Sequence, residues 1–169
     1  DWRGFWEGRV SCKRSLLLGR GLHDQRLGYS IDVELAWRLR GTGLRVVYDA
    51  SAVSLMARPI DVAGFGERSE AKGRAHAIVA ALHPGTEIAS RMIPAGAAAL
   101  WREKHQAVEP LRRRIAALEA SAVADGGRLP ELHAAYRELF RILHAKGVAT
   151  AADGNADAPA ASATTPPAV

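Results

Sequence analysis

The sequence predicts an α/β domain followed by a helical hairpin and a disordered tail. Three observations predict it. Two short β-rich runs, Leu44 to Tyr48 and Ala52 to Met56, sit between two helical stretches. From about Ala97 onward, apolar residues recur only at helical spacing. From Ala149 the chain is Ala, Pro, Thr and Asp, with no large apolar residue until Val169, so it buries too little to offset ordering entropy. The boundaries that follow are 1–93 for the α/β part, 94–148 for the hairpin and 149–169 for the tail.

The elements are expected in this order. Residues 5–18 read as an extended segment entering a short helix, with Leu16, Leu17 and Leu18 as its buried run. Gly19 and Gly21 end it, since glycine tolerates the left-handed backbone of a helix C-terminus. Residues 22–29 are loop-like. A helix follows from near Asp32 to Arg40, with Ser30 as N-cap, Asp32 and Glu34 at the positive end of its dipole, and Leu35 and Leu39 on one face. Gly41 and Gly43 stop it. After the two β-rich runs, Asp61 caps a helix reaching about Leu82. His83-Pro84 terminates that helix, because the residue before proline avoids the helical region.

In the hairpin, Val108, Leu111, Ile115 and Leu118 recur at helical spacing, and Pro110 kinks that helix or marks its start. Asp125-Gly126-Gly127 is a turn, and Pro130 suits a first helical turn. Leu132, Tyr136, Leu139, Phe140 and Leu143 form one apolar stripe.

Composition narrows the class. Of 169 residues 48% are hydrophobic, enough for a packed core, but only 6% are aromatic and alanine is abundant, so the core buries modest area per residue. The net charge of +5 suits anionic lipid, nucleic acid or a phosphate-bearing small molecule, although arginine-rich usage also follows from genomic composition. One cysteine, Cys12, excludes an intrachain disulfide framework and fits a reducing compartment. No run is long and apolar enough to cross a bilayer, and no signal peptide is visible. The opening Asp1-Trp2 and the aromatic cluster Trp2, Phe5, Trp6 suggest a chain that begins inside a domain.

Three consecutive stretches resemble one family. Phe5-Trp6-Glu7-Gly8-Arg9-Val10-Ser11-Cys12-Lys13-Arg14 is similar to an aromatic, a glycine and Asn-x-Ser-x-Lys/Arg before a helix. Gly21-Leu22-His23-Asp24-Gln25-Arg26-Leu27 is similar to a Gly-x-Phe-Asp-Glu-x-Phe loop. Asp32-Val33-Glu34-Leu35-Ala36-Trp37-Arg38-Leu39-Arg40-Gly41-Thr42-Gly43 is similar to Glu-Asp-x-Glu-Leu-x-x-Arg-Leu-x-x-x-Gly. In that order they resemble the C-terminal, acceptor-side part of a family-2 glycosyltransferase, and Gly73-Arg74 and His83-Pro84 extend the likeness to residue 84. The fold so implied is the second half of a GT-A, Rossmann-like sheet.

The resemblance implies an inverting transfer of a sugar from a nucleotide-sugar donor to an acceptor hydroxyl, in cell-surface polysaccharide or glycolipid synthesis. Such a reaction needs a carboxylate within hydrogen-bond reach of the hydroxyl. By position Asp32 matches the catalytic base, and Glu34 the next acid, which orients the acceptor or supports Arg38. Read without the family, the two acids are dipole matching plus an i,i+4 pair of Glu34 with Arg38. With the family, His23, Asp24 and Tyr29 would face the acceptor, and Arg68 and Lys72 the donor pyrophosphate; read without it, His23 is an exposed loop histidine and Arg68 and Lys72 a solvated helix face.

The chain departs from the family at Ile31, Arg9 and His23, and at Leu55 and Met56, where many members have a metal-ligating histidine. No metal ligand is assigned here. The Mg²⁺ or Mn²⁺ that the family uses would be held mainly by residues outside this chain, as would the donor, and the segment alone should be inactive. A cytoplasmic location follows from the resemblance. Arg112-Arg113-Arg114, with Arg102 and Lys104, would suit peripheral contact with anionic lipid carrying a lipid-linked acceptor. No motif supports specific nucleic-acid binding. The alternative is a degenerate, non-catalytic homologue acting as an interaction module through its hairpin.

Overall fold

The computed structural model describes residues 2–5, 10–19, 21, 24–55, 61–125 and 128–154. Seven α-helices follow one another among them: α1 Arg14–Leu18, α2 Ile31–Leu39, α3 Val62–Leu82, α4 Glu87–Met92, α5 Ala97–Lys104, α6 Val108–Asp125 and α7 Leu129–Gly154. The expected N-terminus of α3 is in place: Asp61 accepts a 2.7 Å bond from the Gly64 N–H, meeting a donor the helix leaves unpaired. Its end falls at His83, as the following proline requires. Pro110 and Pro130 both fall in the first turn of their helices, where the missing N–H costs nothing. Helix α7 runs on to Gly154, so residues 149–154 of the expected tail are helical; residues 155–169, the rest of it, lie outside the described residues.

The α/β expectation is overturned. No strand or sheet is present among the described residues, so the chain is not a Rossmann-like, GT-A half-domain but a mostly helical one. Residues 44–49 and 52–55 are irregular, joined by a turn in which Asp49 accepts from the N–H and hydroxyl of Ser51. The physical reason is that β-propensity describes fit to a pleated, half-buried surface, which a strand acquires only beside another strand. Leu44 and Val46 pack inward, but Tyr48 is 89% and Leu55 92% exposed, and Val47 and Val53 are also exposed.

Two apolar clusters hold the helices. The first gathers Trp2, Phe5, Leu27, Leu35, Ala36, Trp37 and Leu39 against Ala75 and Val79 of α3 and Ile88 and Met92 of α4. Trp2 meets Trp37 edge to face at 5.3 Å, and the Arg40 guanidinium lies 3.4 Å over the Trp37 ring. The second cluster zips α6 to α7 through Ile115, Leu118, Leu132, Ala135, Leu139 and Leu143. The hairpin is not a free appendage, because α7 packs along α3. There Gly73 and Gly147 lie so close that a Cβ on Gly73 would overlap the His144 carbonyl, and one on Gly147 the Glu70 carbonyl. Lys146 pairs with Glu70 across the same crossing at 2.9 Å.

The crossing makes an unusual sign prediction. In an exposed helix interior, Gly→Ala raises stability by about 1 kcal/mol. Gly147→Ala should instead lower it by about 2 kcal/mol, because the clash is with backbone that cannot rotate away. Urea unfolding of the two proteins decides; an alanine variant as stable as the parent would refute the close crossing.

Candidate functional site

Of the sequence-derived site residues, Tyr29 and Arg68 are brought together where the segment before α2 faces α3. Residues Arg68, Lys72 and His76 are spaced i, i+4, i+8 and so share one stripe of α3. The stripe lies beside Tyr29 and Ser30: Arg68 stands 6.0 Å over the Tyr29 ring, and His76 Nε2 is 3.0 Å from Ser30 Oγ. Tyr29 is partly open to solvent, and Arg68 and Lys72 are exposed.

Asp32, in the first turn of α2, is 8% exposed, so it is turned away from bulk solvent; its Oδ1 accepts from the Val33 N–H at 2.9 Å. Glu34 is 2% exposed and has a different task. Its carboxylate accepts two bonds from Arg38 Nε, at 2.8 and 2.9 Å, and a third from His83 Nε2 at 3.0 Å. Arg38 is thereby the support partner the sequence suggested, and His83 adds a long-range one. Asp24 is clasped by Arg26, through the backbone N–H and both sides of the guanidinium at 2.6 to 2.9 Å. The side-chain bond from Arg26 holds the Asp24 carboxyl below the usual aspartate range, against a smaller opposing effect of burial. His23 lies outside the described residues.

Ser30 departs from expectation. It occupies the N-cap position, yet its side chain makes no cap bond and its backbone is left-handed, at φ 57° and ψ 25°. A non-glycine residue there is strained by about 1 kcal/mol or more. The hydroxyl turns to His76 instead. His76 Nδ1 lies 3.0 Å from the Met92 carbonyl oxygen and 2.9 Å from His144 Nε2 on α7. Burial, then the neighbouring His144, then Lys72 push the His76 imidazole down to about 4, and burial and Lys72 lower His144 too. Sequence reading missed this trio, because His76 and His144 lie far apart in the chain. The i+4 continuation from Arg68 and Lys72 to His76 is the one signal that would have flagged it.

A separate, open cavity of about 570 Å³ lies against α7, lined by Phe65, His133, Tyr136, Arg137 and Phe140. Its Tyr136 hydroxyl donates to Glu119 and is pushed up to about 12, by burial first and then by that carboxylate.

Among the described residues no three His, Cys, Asp or Glu side chains group to hold a metal ion, so the donor set here does not fit a divalent cation. No described helix is long and apolar enough to cross a membrane. No family model, no curated protein and no solved structure matches the chain.

Two outcomes are expected. Glu34→Ala should cost about 3 kcal/mol, because it strands a guanidinium and an imidazole that face a buried carboxylate. Asp24→Asn, in a solvent-facing clasp, should cost less than about 1 kcal/mol; equal losses in denaturant titrations would refute the ranking. The second concerns acid. An unfolded histidine takes its proton near 6.5, but folded His76 resists until about 4. Its contribution is intact above pH 6.5 and disappears as pH falls toward 4, a loss of about 3 kcal/mol. His76→Gln should flatten the stability-versus-pH curve across that window, and an unchanged curve would count against it.

Proposed function

We propose that the chain is the acceptor-side part of an inverting sugar transferase, with Asp32 as the base that takes the acceptor proton. The reading retains the ordered sequence likeness over residues 5–84 and gives up the sheet that came with it. The observation that carries it is the placement of Tyr29, two residues before α2, against Arg68 of α3, with Asp32 at the family's base position in the first turn of α2. Glu34 is bonded to Arg38 and His83, which fits a supporting role. A rigid first turn fixes a carboxylate well for proton abstraction, and cations nearby suit a pyrophosphate donor.

In this reading Tyr29 and Asp24 border the acceptor, a sugar or a lipid-linked sugar, and Arg68 and Lys72 meet the donor. The donor itself, with its Mg²⁺ or Mn²⁺, is held by protein outside this chain, and no step here runs through that metal. The fitting location is cytoplasmic, against the inner face of a membrane. A second reading, a non-catalytic interaction module, draws support from the exposed apolar side chains Val47, Tyr48, Val53 and Leu55. It draws less from the hairpin, whose α7 is spent on α3.

Asp32→Asn keeps the shape of the side chain but cannot accept a proton. In protein that transfers sugar from a uridine, guanosine or thymidine diphosphate donor, it should cut single-turnover transfer about a hundred- to ten-thousand-fold with donor affinity unchanged. Glu34→Gln should cut it less. Retention of more than about a tenth of the rate by Asp32→Asn would exclude the base role.

A further inference from the structure

We propose that Ser30 and His76 form a nucleophile–base pair that hydrolyses short acyl esters. The inference goes beyond the transferase reading and gives Asp32 no part, so each stands or falls alone.

The tautomer follows from the partners. A carbonyl oxygen can only accept, so the His76 nitrogen facing the Met92 oxygen at 3.0 Å, Nδ1, carries the proton. His144 Nε2, also on that side, then accepts as well. Neutral His76 is left with a bare Nε2, and the Ser30 hydroxyl, 3.0 Å away, donates to it. This is the arrangement an activated serine needs: nucleophile and base in hydrogen-bond contact, and the base oriented by an acceptor on its far nitrogen. Burial, the titratable His144 of α7 across the crossing and the charged Lys72 on its own helix keep His76 neutral at ordinary pH; they also make its imidazolium costly, so this pair is expected to turn over more slowly than one whose base is backed by a carboxylate.

The backbone is the second, independent observation. Ser30 sits in a left-handed turn two residues after Gly28 and directly before α2, half-buried rather than sealed. A strained turn between an incoming segment and a helix start is how a nucleophilic serine is presented in other folds, although Asp32 here stands where a second glycine is usual. The N–H of Ile31, the first residue of α2, has no intrahelical carbonyl to bond. It is the donor this turn offers a developing oxyanion. Lys72 and Arg68, one and two turns along the stripe from His76, favour an ester that carries an anionic group.

The step balances without any further reagent than water. Ser30 Oγ bonds to the acyl carbon as its proton passes to His76 Nε2. The ester C–O bond breaks, and Nε2 returns the proton to the leaving alkoxide, releasing the alcohol. Water then attacks the acyl-serine, giving a proton to Nε2; the serine C–O bond breaks, and the proton returns to Oγ as the acid departs.

The test uses the chain as it is. It is incubated with a fluorophosphonate, whose P–F bond is replaced by P–O on an activated serine, and followed by intact mass and peptide mapping. p-Nitrophenyl acetate hydrolysis is measured in parallel. One adduct is expected, on Ser30. Ser30→Gly, which accepts the left-handed backbone, should remove both adduct and turnover while thermal unfolding shows a folded protein. His76→Gln, which retains a hydrogen-bonding side chain without a usable base, should slow labelling about a hundredfold or more. No adduct on Ser30, an adduct on another residue alone, or labelling of His76→Gln at the parent rate would overturn the proposal.

Discussion

The close crossing of α3 and α7 is the constraint from which the rest of the structure follows. Gly73 and Gly147 remove the two side chains that would hold the helices apart, so their backbones approach to where no Cβ fits. That approach carries three consequences. It brings His144 within hydrogen-bond distance of His76, sets Lys146 against Glu70, and lets Leu143 reach Gly66. With α7 fixed, α6 is fixed through their shared apolar seam, and Phe65 of α3 finds Phe140 of α7 at 4.5 Å. An alanine-rich chain with few aromatics cannot rely on bulky cores. Close backbone packing gives it dispersion contact that its side chains do not supply.

The same α3 carries the other half of the molecule. Its buried face, Ala75 and Val79, closes the cluster around Trp37 and Leu35, and His83, the residue that caps its end, reaches back to Glu34. A buried carboxylate is costly unless its oxygens are met. Glu34 has three bonds from two donors, so α2 is locked in rotation by polar contacts as well as by Leu35, Trp37 and Leu39. This lock decides what the other acid can do. With α2 unable to turn, Asp32 and Ser30 hold fixed positions at its start, one within the helix and one in the strained turn before it.

The sequence made some of this legible and hid the rest for definite reasons. Helix ends governed by local chemistry were readable: Asp61 capping α3, Pro84 stopping it, and prolines opening α6 and α7. The Glu34–Arg38 pair was readable too, because i,i+4 spacing makes neighbours within one helix. The β-rich runs misled, since branched and aromatic residues favour strands only where another strand is present, and Val47, Tyr48 and Val53 have none among the described residues. Ser30 misled differently: serine before a helix reads as a cap, but His76, distant in sequence, captured its hydroxyl. Contacts such as His76–His144 and Glu34–His83 depend on how helices cross, which no local pattern in the sequence encodes.

The exposed run from Val47 to Leu55 bears on how the site should be understood. Leu44 and Val46 anchor one side of this segment to the first core, and a Cβ on Gly4 would lie 3.4 Å from Val46 Cγ1. The other side presents branched and aromatic side chains to water, with Tyr48 and Leu55 almost wholly open. Single exposed apolar residues are ordinary, but four large ones within nine residues are more than an isolated exposure. The cluster at the start of α2 is different in kind, being polar, hydrogen-bonded and held by helices already packed. The chemistry of Ser30 and His76 therefore depends on contacts made within this chain. Ester hydrolysis by Ser30 and His76 can thus be measured on the chain alone, whereas the proposed sugar transfer, whose donor is held by protein outside this chain, cannot.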